Sequence, residues 1–595
     1  MDQPTSAPTV LPTSQPGQAS SLPATGARLT SRAAFEEFQA RCRAHWDDLW
    51  AGNRVVVSVG VDSSSLAKGG YAVLAECRRL LAGERAVVRE VSGNGAMWMD
   101  PHVEIKRPGE PPIVYGPIAP DEVEALLAGR LPERAVGVRG ESAFNGIPPL
   151  AAHPFFKYQE RIVLANLGII EPNSVVDAVG AGAYEAYKRV LFDLSPEEAI
   201  AEVTAANVRG RGGAGFPAGV KWESGRKARA TPKFVVCNSH EGEPNVYKDR
   251  RIHEGDPHRI LEGILIACIV CGAERGYNYI GGEYPLAIQR FRQAVADAER
   301  LGLIGRNVLG SGKDVFFRVR TGGGAYICGE GSALMYSVMG LRGQPRTKPP
   351  RSVEEGIWKR PTIANNTETL ANIPDIIVKG GAWYAAIGTE KSKGTKLMTV
   401  QGAMNTVGLV EVPMGIELGT LVNEIWGGMR PGHQFKGIQT GGVSAGPLTE
   451  EHFGLPVDFD SLTSVGGMLG SGGFAVFDQH VCAVDYARYL TAFNRYESCA
   501  KCVPCQRGNP ALVEILDRIR FGRASLDDLP LMQRTSKHII ELSLCGLGQV
   551  APMPLLGMMK QFEAEFRAHI VDGVCPAGVC PIGAPAEVAL PVAAD

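Results

Sequence analysis

Glu497-Ser498-Cys499-Ala500-Lys501-Cys502-Val503-Pro504-Cys505 places three cysteines in a C-x2-C-x2-C run. A fourth, Cys545, follows one helical hairpin later in Leu544-Cys545-Gly546-Leu547-Gly548. Iron–sulfur cubanes are held by four thiolates; the tight run wraps one face and a distant fourth cysteine closes it. Zinc is the alternative, although structural zinc usually pairs two C-x2-4-C knuckles. Apolar periodicity around the run reads as helices from Ala483 to Tyr496, Ala511 to Phe521, Leu529 to Leu544 and Pro554 to Phe566. That pattern predicts a small helical [4Fe-4S] bundle over residues 471–570.

A second ligand group surrounds the first. Cys482, His569, Cys575 and Cys580 form a Cys3His set suited to structural zinc, the last two in a tail spanning 571–595. The competing reading is a tail of reduced, unliganded thiols. Thirteen cysteines in 595 residues are too few for a disulfide scaffold, and their crowding near the C-terminus reads as ligation in a reducing, cytoplasmic compartment. Cys237, Cys268, Cys271 and Cys328 lie in apolar runs and read as small buried hydrophobes. His45, His102, His153, His253, His258, His433 and His452 lack ligand spacing, so surface or capping roles are expected.

The balance of 61 basic and 63 acidic residues excludes nucleic acid as main partner. The longest apolar run, Ile264 to Cys271, is too short for a membrane span, so membrane contact is expected only through partners. No basic segment followed by an apolar one marks a secretory leader at the N-terminus. Residues 1–30, rich in Pro, Ser, Thr and Ala, read as a disordered lead. From 31 to 135 the order strand, helix, strand, hairpin, helix suggests a small thioredoxin-like domain. Residues 136–395 alternate short buried strands (Phe234 to Cys237, Tyr277 to Ile280) with helices (His258 to Cys271, Pro285 to Leu301) in an α/β layer pattern. Residues 396–470 carry strand signals and Gly-rich turns, hence a small β-rich module. The fold class expected is thus α/β and multidomain.

Within the α/β region, Gly210-Arg211-Gly212-Gly213-Ala214-Gly215-Phe216-Pro217 fits G-x-G-x-x-G. A dinucleotide fingerprint needs a strand before this loop, and Glu197 to Val208 reads as helix, so a standard Rossmann turn is not expected. The loop still exposes backbone N–H groups to an anion, with Lys221 close behind. The bland alternative is a tight core turn. Asn238-Ser239-His240-Glu241-Gly242-Glu243 follows a strand, at the end where open α/β sheets bind ligands. Gly322 to Glu330 and Asn365-Asn366-Thr367-Glu368-Thr369 are two further polar loops.

These motifs, with Gly281 to Pro285, Arg342 to Pro350 and the cysteine run, occur in the order found in the FMN-bearing, NADH-oxidising subunit of respiratory complex I. The chain resembles that family, which includes subunits of NAD-dependent formate dehydrogenases, NiFe hydrogenases and bifurcating hydrogenases, over about residues 140 to 570. The resemblance implies a Rossmann-like FMN-binding α/β domain, a β-grasp (SLBB-like) module and the helical [4Fe-4S] domain. It implies that Gly210, Gly212, Gly213 and Lys221 cradle the FMN phosphate and nucleotide. Asn238, Glu241, Gly329, Glu330, Asn365 and Asn366 would line the flavin, Glu243 would sit near the nicotinamide and Phe216 would stack on adenine. Cys499, Cys502, Cys505 and Cys545 would hold the cluster. It also implies electron input from NAD(H), with Glu243 and Lys221 catalytic. The partners would be a small iron–sulfur subunit and a catalytic subunit of formate dehydrogenase, hydrogenase or another reductase.

The departures cluster on the nucleotide side. The family pattern Asn-Ala-Asp-Glu-Gly-Glu-Pro-Gly carries Ser239, His240 and Asn245 here, Gly-Glu-Glu-Thr reads Gly329-Glu330-Gly331-Ser332, and two aromatic positions are Ser224 and Arg351. Two outcomes are open: altered specificity towards NADP(H), or an FMN/[4Fe-4S] electron-transfer adaptor that has lost nucleotide turnover. The N-terminal region, with only Cys42 and Cys77, cannot supply four thiolates for a second cluster.

Overall fold

β-Branched residues run together at Val55-Val56-Val57 and Val87-Val88, and such residues suit a pleated, half-buried surface. They form β1 (Val55–Gly60) and β2 (Ala86–Val91), paired in parallel with Val55 opposite Ala86. β3 (Val103–Lys106), β4 (Ile113–Tyr115) and β5 (Ala135–Val138) add antiparallel, giving the order β2-β1-β3-β4-β5. The computed structural model describes residues 28–583. Most of the expected disordered lead, residues 1–27, and the end of the tail, residues 584–595, lie outside the described residues.

The first helix was not expected. Arg32–Ala51 buries Phe35, Phe38, Cys42 and Leu49, a stripe at helical spacing. Its apolar side joins Val175, Val176 and Val179 in the core of the following α/β layer instead of the core under β1 to β5.

The central sheet is parallel: β6 (Phe234–Ser239), β7 (Arg275–Gly281), β8 (Phe316–Gly322) and β9 (Thr362–Asn366), in the order β8-β7-β6-β9. The helix Pro257–Cys271 is apolar almost all round and correspondingly buried, with Cys268 and Cys271 inside as small hydrophobes. The chain runs from β6 outward to β7 and β8, then crosses to β9 on the other side. Such a reversal opens a crevice at the carboxyl ends of β6 and β9.

The third sheet comprises β10 (Thr395–Gly402), β11 (Leu409–Pro413), β12 (Phe435–Thr440), β13 (Pro447–Leu448) and β14 (Gly473–Asp478), in the order β11-β10-β14-β12-β13. β14 comes from beyond residue 470, the end of the span expected for the β-rich module. The longer helices that follow are Ala483–Tyr496, Val503–Arg520, Asp528–Leu542 and Met553–Gln561. The second starts earlier than the predicted Ala511 and carries Pro510 inside it, so Cys505 falls in its first turn. The chain is therefore a mixed α/β, multidomain protein with several sheets. No helix among the described residues is long and apolar enough to cross a membrane.

The histidine expectation needs correction. His153 and His452 do cap, accepting from the Phe155 and Thr449 amides. His102, His253 and His258 are instead buried; His253 sits between Asp249 O and Asn278 Nδ2, and His258 meets the Tyr184 hydroxyl at 2.7 Å.

Candidate functional site

The polar run leaving β6 enters the crevice with its side chains committed. Asn238 Nδ2 donates to Gly329 O at 2.8 Å. Glu241 accepts the Asp249 and Arg250 amides at 3.0 and 3.1 Å, capping the helix Lys248–Gly255. Burial, then the neighbouring Asp249 carboxylate, pushes Glu241 up to about 7. Glu243 accepts from Tyr326 Oη and from Val443 N, each at 2.7 Å. Burial pushes its carboxyl up to about 7 as well, against those two bonds. A Cβ on Gly442 would stand 2.0 Å from Glu243 Oε1, so glycine is required there.

Across the crevice, Asn365 Oδ1 accepts the Trp222 indole N–H at 3.0 Å. Asn366 Nδ2 donates to Asn238 O, while its Oδ1 accepts from Lys248 Nζ at 3.3 Å and Glu368 N at 3.0 Å. Glu330 caps the helix Gly331–Val338 through the Ser332 and Ala333 amides. These predicted residues come together, but chiefly they shape the crevice and stiffen one another. Tyr326, Lys348, Gly442 and Val443 were missed by sequence reasoning. Tyr326 lies inside the Gly322 to Glu330 loop and was legible as an aromatic among glycines; Gly442 and Val443 come from the third sheet's connections and carried no signal.

The glycine loop follows the helix Pro196–Ala205 and precedes Ala218–Lys227, so no strand introduces it, as expected. Gly212 packs against Asn366, where a Cβ would stand 2.9 Å from the Asn366 Cβ. Gly213 adopts φ 122°, open to glycine alone. Lys221 Nζ donates to Ala364 O at 2.7 Å and lies 5.8 Å from the Phe216 ring, which is 48% exposed. Burial, then the Lys348 cation, lowers Lys221 to about 8. Two neighbouring cations, a glycine loop, an exposed ring and a crevice at strand ends fit a flat, phosphate-bearing group such as FMN.

All four predicted cluster cysteines line one cavity of about 30 Å³, together with Tyr326, Ile327 and Pro345. Ala500 at φ 58° turns the knuckle between Cys499 and Cys502. Gln344 and Lys501 tie that knuckle to the 340–350 segment through Cys499 O and Pro345 O. Burial raises the Cys505 and Cys545 thiols, so without a ligated metal they stay protonated. Four convergent thiols fit an iron–sulfur cluster, and Glu497, the carboxylate in the same lining, is taken up by the Tyr326 amide.

Residues 203–375 match the Nuo51 FMN-binding domain, and 485–569 match the NADH-ubiquinone oxidoreductase-F iron-sulfur binding region. The chain is 44% identical over 431 residues to the HndC subunit of the NADP-reducing hydrogenase of Solidesulfovibrio fructosivorans, covering 72% of this chain and 88% of that one. It is 42% identical over 417 residues to the NADH-quinone oxidoreductase F 2 subunit of Rhizobium meliloti (strain 1021), covering 70% and 99%. The chain belongs to the family of NADH-quinone oxidoreductase F subunits. A solved NAD+-reducing [NiFe]-hydrogenase in the H2-reduced state superposes with a TM-score of 0.62 at 25% identity, over 90% of each chain.

As a member of that family, the chain is an oxidoreductase subunit with an FMN-binding domain and a [4Fe-4S] region. The first match spans every residue expected at the flavin, and the second spans the four cluster cysteines. Cys482, Cys575 and Cys580 fall outside both. Their ligand atoms and that of His569 nonetheless lie within 4.8 Å of one another. Cys482 Sγ is 3.4 Å from His569 Nε2 and 3.6 Å from Cys580 Sγ. A tetrahedron with Zn–S bonds of about 2.3 Å has edges of about 3.8 Å. His569 Nδ1 meets Glu565 O at 2.7 Å, which aims Nε2 at the thiols in the manner of a metal ligand.

Proposed function

We propose that this chain is the electron-input subunit of a multisubunit oxidoreductase, exchanging hydride between NAD(H) and FMN and single electrons with the [4Fe-4S] cluster. FMN, when bound, supplies the switch between two-electron and one-electron chemistry. Gly210, Gly212, Gly213 and Lys221 hold its phosphate; Asn238, Glu241, Gly329, Glu330, Asn365 and Asn366 wall its ring. Phe216 offers a free face for the adenine of the nucleotide, and Glu243, held by Tyr326 and Val443, faces the nicotinamide. The observation that carries this reading is Tyr326, whose hydroxyl holds Glu243 and whose amide bonds Glu497 at 2.9 Å, while its residue lines the cluster cavity. One residue thus joins the hydride end to the cluster end. The full chain reconstituted with FMN should lose its flavin absorbance within one turnover of added NADH; retention of full absorbance with both NADH and NADPH rejects the dehydrogenase role.

An NADP(H) preference is the second reading. Gly331, where the family carries Glu, has nothing within 4 Å of its Cβ direction, and Lys348 stands beside Glu330 next to it. That vacated space beside a cation favours an added phosphate, as the name of the hydrogenase relative suggests. Arg351 does not join it, being paired with Glu354.

The first sheet, with Asp62 and Ser63 to Ser65 where cluster cysteines would stand, is a thioredoxin-like domain that docks a partner, and the third sheet is a β-grasp module. Partners are a small iron–sulfur subunit and a catalytic subunit, in the cytoplasm. Cys482, His569, Cys575 and Cys580 hold one structural zinc. Metal analysis should find about one zinc per chain, falling to none in a Cys575→Ser/Cys580→Ser double variant; zinc kept by that variant rejects the site.

A further inference from the structure

Among the side chains from Asn238 to Glu243, Asn238, Ser239, Glu241 and Glu243 are all bonded within the protein. His240 is the exception. It is only 6% exposed, yet neither Nδ1 nor Nε2 has a hydrogen-bond partner. Buried polar atoms are rarely left unpaired, and a site that keeps two of them is built to meet something. The ring sits where the crevice loops converge. A Cβ on Gly242 would lie 3.2 Å from Nε2, and one on Gly329 would lie 4.0 Å from Cδ2. The Tyr279 ring is 6.0 Å away, Glu283 is the charged neighbour, and the Ala325 backbone approaches the ring without the geometry of a hydrogen bond that would satisfy either nitrogen. Burial lowers the ring's pKa, so it is a neutral imidazole at pH 7, with one N–H and one free lone pair.

We propose that His240 hydrogen-bonds the isoalloxazine ring of FMN and, standing where the family carries a carboxylate, raises the flavin's two-electron potential. This rests on the flavin crevice proposed above. Adding two electrons and one proton places a net negative charge on the ring. A carboxylate in a water-poor crevice opposes that charge. A neutral imidazole does not, and its N–H bond strengthens as the acceptor gains charge.

The test uses the full chain reconstituted with FMN, with FMN affinity read by fluorescence and potential by spectroelectrochemical titration. His240→Asp is expected to shift the reduced-to-oxidised ratio at a set potential at least tenfold towards oxidised, about 30 mV for a two-electron couple. His240→Asn keeps a neutral N–H donor and should stay within about threefold of wild type, or about 15 mV. His240→Leu, without a donor, should fall below Asn and bind FMN more weakly. If Asp and Asn shift equally, or no variant shifts, the proposal is overturned. Should the Asp variant not retain FMN, the Asn and Leu variants decide, and equal potentials for the two overturn it. A wild-type chain that binds no FMN overturns the crevice assignment instead.

Discussion

Replacing Cys545 by Ser should take iron from about four atoms per chain to near zero, with matching loss of acid-labile sulfide and of the broad brown absorbance. Serine keeps the shape and removes the soft thiolate, so three cysteines of the run remain on one face of a cavity whose fourth corner is gone. The same loss is expected for Cys502→Ser. FMN should stay bound in both, because the residues assigned to it lie in a separate matched segment. That combination separates loss of a ligand from loss of the fold. Since burial holds the Cys505 and Cys545 thiols protonated when unligated, cluster assembly releases protons, and reconstitution should go further as pH rises. A Cys545→Ser protein that keeps about four irons would remove Cys545 from the ligand set.

Much of this was legible beforehand where one local rule sufficed. The C-x2-C-x2-C run needed only thiolate counting, and the helices Pro285–Leu301 and Ala483–Tyr496 begin and end where their apolar periodicity does. The helix Arg32–Ala51 was missed although Phe35, Phe38, Cys42 and Leu49 mark its buried face, because its partner surface lies more than a hundred residues away. The helix Val503–Arg520 runs through Pro510, a residue that disfavours a helix interior, so its first two turns lie ahead of the predicted Ala511 start. At the site, residue types were readable but not their duties. Glu241, Glu330 and Asn366 were expected to line the flavin, and only three-dimensional pairing reveals that backbone amides and Lys248 engage their polar groups. The buried histidines fail for a related reason: His253 and His258 find partners across elements, which spacing along the chain cannot report.

Arg251→Ala should cost about 3–5 kcal/mol of stability, the largest effect expected away from the cofactors. Arg251 Nη1 lies 2.5 Å from Asp62 Oδ1, and both side chains are at most 1% exposed. Asp62 also accepts the Gly93, Ser64 and Ser65 amides at 2.6, 3.0 and 3.1 Å. The pair therefore joins the end of β1 to the helix Lys248–Gly255, whose first residues contact Glu241 and Asn366. Burial alone would raise the Asp62 carboxyl, but the Arg251 guanidinium and the Ser65 amide outweigh it and hold it down at about 2. A carboxyl depressed from about 3.9 in the unfolded chain contributes stability that is fully present above that value and is lost as pH falls towards 2. For this group the contribution is about 2–3 kcal/mol. Urea midpoints measured from pH 6 down to pH 3 should fall for wild type and fall less steeply for Asp62→Asn. Exchanging both partners for apolar residues, Asp62→Leu with Arg251→Met, should recover much of the single-variant loss, since the buried charge left behind by one substitution is what destabilises. Should Arg251→Ala shift the midpoint by less than about 1 kcal/mol, the pair behaves like an exposed one. The first sheet would then not be clamped to the crevice through it, and FMN affinity in that variant should equal wild type.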